Sequence, residues 1–195
     1  MIKSEKFESA IKLFDLANAD DPNKEMFQGK EYAKELLYAA RMTDRLNNFC
    51  PDADEALQLA VRCQHIRRWE IPREQYEMNR VGYLQWRNDL KEFHAERASE
   101  IMQEVGYDDE IIASVKFLLL KKQLKKNELT QKLEDVICLV FLEYYFEKFS
   151  EKYSEDKMVD ILRKTWKKMS SQGQEAAMEL QLSNHSKALI TKALA

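Results

Sequence analysis

Residues 81–105 read VGYLQWRNDLKEFHAERASEIMQEV, and along them Tyr83, Trp86, Leu90, Phe93, Arg97 and Ile101 recur three and four apart. That spacing puts the six side chains on one face of a helix and breaks the alternation a strand would need. Gly106 follows at once, where a helix end favours a residue that tolerates left-handed backbone. A long amphipathic helix in mid-chain sets the expectation for everything around it.

Working outward, the same period recurs. Upstream it predicts helices over residues 4–17, 30–48 and 51–69, the last opened by Pro51 with Asp52 and Asp54 in its first turn. An amphipathic start is read from Ile2, Phe7, Ile11 and Phe14. Residues 18–29, with Asp20, Asp21, Pro22 and Asn23, read as a polar loop, and Pro72 stops the third helix. Downstream the pattern predicts helices over residues 109–122, 128–149, 155–169 and 173–193. The stretch 136–142 is apolar all round, so its helix is expected to be the buried one.

Composition agrees. The 195 residues include only 4 Gly and 3 Pro, far below the usual ~7% and ~5%, too few for the turns of a sandwich or barrel. The fold class expected is all-α, a single compact domain of about seven or eight helices over 1–195, with residues 1–28 as a helical appendage. At 45% apolar and 33% charged, with 31 − 34 = −3 net, the chain can bury a core beneath a mixed-sign surface. That balance excludes a nucleic-acid polycation and a disordered acidic tail. The longest apolar run is residues 136–142, so no membrane span is expected. Three cysteines without paired spacing (Cys50, Cys63, Cys138) read as buried thiols, and with no signal-peptide pattern the expected location is cytoplasmic.

Few residues are candidates for chemistry. On its helix His65 follows Leu57 and Val61 at four-residue steps, and His94 follows Leu90 and precedes Ala98 and Ile101, which turns both imidazoles toward the apolar side. Asp135 lies one turn before Cys138, Leu139 and Leu142, where a carboxylate needs a partner, and Arg62 is the first one considered. Seven of the ten arginines (Arg62, Arg67, Arg68, Arg73, Arg80, Arg87, Arg97) fall within residues 62–97. Trp69, Tyr76, Tyr83 and Trp86 lie among them, with six acids interleaved. The guanidinium fork suits carboxylate or phosphate, so Arg62, Arg67, Arg68, Arg73 and Arg87 are candidate anion ligands, with structural forks as the other reading. Lys121 and Lys122 read as cations complementing a helix end.

Six strings carry a resemblance: ELLY (35–38) with Arg41 and Met42, RCQHIRRWEIPR (62–73), GYLQWR (82–87), FHA (93–95), LEDVICLVFLE (133–143) and KTWKKMS (164–170). Together they resemble the family catalogued as domain of unknown function 4202, over nearly the whole chain. More distantly, the order of His65, His94 and Asp135 resembles the all-α HD phosphohydrolase superfamily, although Ala95 stands where that family has the metal-bridging aspartate of its His-Asp pair. What the distant resemblance implies is an HD-like core in which His65, His94 and Asp135 are the catalytic residues and hold one divalent metal. Two functions stay open: a hydrolase acting on a small phosphorylated or carboxylated compound, and a non-catalytic module that binds an anionic small molecule or a protein partner. Neither a nucleic-acid nor a membrane partner is expected.

Overall fold

Ser4 takes extended backbone and its hydroxyl accepts the N–H of Phe7, which starts the first helix, α1 (Glu5–Ala19). The computed structural model describes residues 4–195, so Ile2, read above as part of this helix, lies outside the described residues. The described chain divides into two compact units, one running to Lys122 and one spanning Gln123–Ala195.

In the first unit α1 buries Phe7, Ala10 and Phe14 and packs on the helices that follow it. The end of the expected polar loop and the first four residues of the helix expected from residue 30 instead form a two-stranded antiparallel hairpin, β1 (Lys24–Phe27) and β2 (Lys30–Ala33), in register Lys24↔Ala33 to Phe27↔Lys30. Gln28 and Gly29 make its turn with φ of 50° and 77°, the positive values that a two-residue hairpin connection requires. With four residues per strand, mostly polar, the alternation is too brief to register against a helical background. The hairpin has a purpose in the next element. Helix α2 (Lys34–Phe49) begins after Ala33, which has no side chain to cap it, and the buried Asp21 supplies the missing acceptor by taking the Glu35 N–H on Oδ2 at 3.0 Å.

Asp54 caps α3 (Glu55–Cys63) by accepting the Leu57 N–H at 2.8 Å. This helix ends six residues before the expected boundary at Trp69. The cause is a long-range contact: Arg67 sits in left-handed backbone, φ 51°, with its N–H on the Asn18 side chain, and a 3-10 turn (Arg68–Glu70) follows. The Ile66 carbonyl, freed from helical bonding, instead takes a hydrogen bond from His94. The long helix read first, α4 (Arg80–Glu104), is present and is capped by Asn79. Gly82 is obligatory in its first turn, because a Cβ there would stand 2.2 Å from the Glu77 carbonyl oxygen. Gly106, φ 84°, ends the helix as the sequence predicts. Helix α5 (Asp109–Leu119), capped by Asp108, packs on α3 and α4. Fully buried Phe14, Met42, Leu46, Leu57, Leu59, Ile66 and Met102 form the centre of this unit.

The second unit opens with α6 (Glu128–Val140), which buries Leu133, Val136, Cys138, Leu139 and Val140 as expected of the apolar stretch. The helix widens into a π turn over Phe141–Tyr145 before continuing as α7 (Phe146–Ser150). Helix α8 (Glu155–Lys168) follows. The single helix predicted over residues 173–193 is two helices, α9 (Ser171–Met178) and α10 (Asn184–Leu194). Leu180 turns inward between them, and the Ser183 hydroxyl accepts the Ser186 N–H to cap the second. Ten α-helices among the described residues thus make an all-α fold with one small hairpin. No described helix is long and apolar enough to cross a membrane.

Candidate functional site

The two candidate histidines of the first unit lie side by side. His65 follows the end of α3 and His94 sits on α4, and their ring centroids are 5.8 Å apart. Sequence analysis did not foresee the group that organises them. Glu35, buried in the first turn of α2, places Oε2 3.2 Å from His65 Nδ1, and Arg68 places a guanidinium nitrogen 3.2 Å from His65 Nε2. A guanidinium only donates, so Nε2 carries the lone pair and Nδ1 carries the proton, which points at the carboxylate. His65 is therefore a neutral bridge between an anion and a cation. Tyr38, one turn along α2 from Glu35, stacks on the imidazole at 4.1 Å with planes 15° apart, and its hydroxyl donates to Gln64 Oε1 at 2.9 Å.

The electrostatics favour this protonation state. Burial and then the positive charges of Arg68, Lys121, Arg87 and Lys34 hold the His65 pKa well below the usual imidazole value. Burial raises the Glu35 carboxyl, while Arg68, Lys34 and His94 pull it back. Arg68 lies 4.0 Å from the second Glu35 oxygen and stacks over Trp86 at 4.8 Å. Arg87 donates to the Tyr83 hydroxyl at 3.2 Å, and Tyr83 lies against Trp86 with centroids 5.9 Å apart. Four cations thus bear on His65, and one buried carboxylate bridges to it.

His94 is deeper. Its Nδ1 lies 2.8 Å from the Ile66 carbonyl oxygen, which can only accept, so Nδ1 holds the proton and Nε2 is an acceptor. That Nε2 is buried with no hydrogen-bond partner among the described residues, a condition that costs about 1–3 kcal/mol. Burial, with a further contribution from His65, holds its pKa down to about 3.

The remaining candidates are engaged elsewhere. Arg62, considered first as the partner of Asp135, forks Asp15 through Nε at 2.7 Å and its terminal nitrogen at 2.6 Å, and also reaches Thr43. The reason is helical phase: Arg62 faces α1, not the His65 side of its turn. Arg67 pairs with Glu70, and Arg73 donates to the carbonyls of Tyr76, Glu77 and Asn79, which closes the loop ahead of α4. Of the five candidate anion ligands, Arg68 and Arg87 are the two that bear on His65, Arg68 by its hydrogen bond to Nε2 and Arg87 through its charge from the Tyr83 flank of α4.

Asp135 belongs to the second unit and is satisfied there. Its Oδ1 accepts from the Ser170 N–H at 2.8 Å and from Gln131 Nε2 at 3.1 Å, and its Oδ2 accepts from the Ser170 hydroxyl at 2.6 Å. Ser170 caps α9 in turn, accepting the Gly173 N–H at 3.0 Å. Glycine is needed at 173 because a Cβ there would lie 2.5 Å from Asp135 Oδ1. The KTWKKMS string therefore closes a helix junction on Asp135. Among the described residues, no group of three or more His, Cys, Asp or Glu side chains is placed to hold a metal ion. The donor set implied by the HD-like order does not fit one either, since Arg68 occupies His65 Nε2 and Ser170 occupies the Asp135 carboxylate.

No curated protein and no solved structure matches the chain. The family model described as Domain of unknown function (DUF4202) matches residues 8–190, a span that takes in both the Glu35–His65–Arg68 cluster and the Asp135–Ser170 junction, and the chain belongs to that family.

Proposed function

We propose that this protein binds a small anionic compound, phosphorylated or carboxylated, at the cluster built by Glu35, His65, Arg68 and Arg87. The observation that carries the reading is the Arg68 guanidinium set between His65 and Trp86, with Arg87 on the flank that carries Tyr83 and Trp86 and with Lys121 and Lys34 adding positive charge at His65. Cations gathered beside a partly desolvated surface attract an anion more strongly than they would in open water. Stacking on Trp86 orients the Arg68 guanidinium, and a pre-oriented fork loses less freedom when it meets an oxyanion.

Binding is favoured over hydrolysis by the state of the histidines. A general base needs a free lone pair within reach of substrate; the lone pair of His65 is covered by Arg68 and that of His94 is sealed from solvent. The test is a panel of inorganic phosphate, phosphosugars, nucleotides and dicarboxylates, read by thermal shift against chloride at equal ionic strength and by the ring signals of His65 in NMR. At least one class is expected to raise Tm and move the His65 signals. Absence of any shift across the panel overturns the reading, and turnover of a phosphoester would restore the hydrolase in its place.

A further inference from the structure

The first two turns of α4 carry apolar residues on the side facing away from the core. Val81 is 72% exposed, Leu84 51% and Tyr83 42%, and Met78 just before the helix is 77% exposed. Apolar groups gathered on a surface this way mark a binding face more often than scattered ones do. Two features identify the occupant. The face is continuous with the cationic cluster: Leu84 lies three residues from Arg87 on neighbouring positions of the helix surface, and Tyr83 contacts both the Arg87 guanidinium and Trp86, over which Arg68 lies. Between the exposed Glu77 ahead of the helix and Asp89, which accepts from the Tyr76 hydroxyl, residues 80–88 hold Arg80 and Arg87 and no acid.

Building on the anion-binding reading above, we infer that the ligand is an amphipathic anion, with its charged head on Arg68 and Arg87 and its hydrocarbon along Tyr83, Leu84 and Val81. The apolar length of the ligand then contributes affinity that a bare oxyanion lacks.

Isothermal titration of the full chain with inorganic phosphate, methyl phosphate, butyl phosphate and octyl phosphate, each below its micellar concentration, tests this. A methylene fully removed from water is worth about fourfold in affinity, and an open helix face gives less, so octyl phosphate is expected to bind at least about tenfold more tightly than methyl phosphate. The neutral surface double variant Val81→Gln, Leu84→Gln is expected to lose that gain while binding inorganic phosphate as the parent does. Octyl phosphate within about twofold of methyl phosphate, or a gain that survives in the double variant, overturns the inference. So does sedimentation of the chain with phosphatidate vesicles where monomeric octyl phosphate shows no gain, since the face would then serve a bilayer surface. If no phosphate species binds at all, it is the parent reading that has failed, which separates the two outcomes.

Discussion

Glu35 and Asp135 are both buried carboxylates held by side chains distant in sequence, yet they are solved in opposite ways. Asp135 meets neutral donors only: a backbone N–H and a hydroxyl from Ser170 at the α8–α9 junction, and the Gln131 amide one turn back on its own helix. Glu35 meets an imidazole and the field of two cations, Arg68 and Lys34, and the histidine it orients adjoins a second one with an unpartnered nitrogen. A buried acid whose lone pairs are filled by its own fold has finished its work when the chain folds. A cluster that gathers several cations at one imidazole is stabilised further by an anion added to it. On the proposed reading, Asp135 serves the fold and the neighbourhood of Glu35 serves the ligand.

The largest effect should come from breaking the finished side. Asp135→Ala removes three hydrogen bonds at once and leaves Ser170 without its anchor, so urea denaturation should show a loss of about 3 kcal/mol. Gly173→Ala should act in the same direction, since its Cβ would meet Asp135 Oδ1 at 2.5 Å. Anion binding by whatever fraction stays folded should be unchanged. A variant that keeps its stability and loses the anion would reverse the assignment and return Asp135 to the ligand site.

A smaller effect belongs to His94 and is read through pH. Its folded pKa, about 3, lies below its ordinary value of 6.5, so the folded state binds fewer protons than the unfolded one between those values. The stability His94 allows is complete above about pH 6.5 and is lost progressively as the pH falls from there toward 3. At pH 5.5 this amounts to about 1.4 kcal/mol. His94→Gln, which keeps a donor for the Ile66 carbonyl, should show that much less difference in unfolding free energy between pH 7.5 and pH 5.5 than the parent. Glu35, with its raised pKa, works with the opposite sign, and its contribution is common to the parent and the variant. An unchanged pH difference would mean that His94 is not held neutral, and the contrast drawn above would lose its second histidine.

What the sequence exposes follows from the range over which each interaction acts. The 3.6-residue period over residues 81–105 is written in local side chains, and α4 appears within a residue of where it was predicted. The end of α3 is not local: it depends on Asn18 receiving the Arg67 N–H and on His94 taking the Ile66 carbonyl, and neither residue lies near the break in sequence. The hairpin at Lys24–Ala33 escapes for a related reason, since its short strands carry little apolar alternation and its value lies in bringing Asp21 to the start of α2. His65 and His94 are legible because histidine is scarce and both fall on apolar faces. Glu35 is one acid among 34 Asp and Glu; only its spacing from Tyr38, one helical turn, hints that carboxylate and ring approach a target together.

The smallest change in stability should coincide with the clearest change in binding. Arg87 is half-buried and donates to the Tyr83 hydroxyl at 3.2 Å, a bond between two residues on the same exposed flank of α4. Removing the charge with Arg87→Gln deletes no buried partner, so unfolding free energy should stay within about 0.5 kcal/mol of the parent. If Arg87 helps seat an anion, that same variant should bind inorganic phosphate about tenfold more weakly, a difference of about 1.4 kcal/mol, and Arg87→Lys should recover part of it by restoring charge without the fork. Affinity then changes without stability at position 87, and stability changes without affinity at position 135, which is what separates a residue serving a ligand from one serving the fold. Equal phosphate affinity in the parent and in Arg87→Gln would place the anion away from this arginine, and the surplus charge around His65 would have to be explained by the packing of the first unit alone.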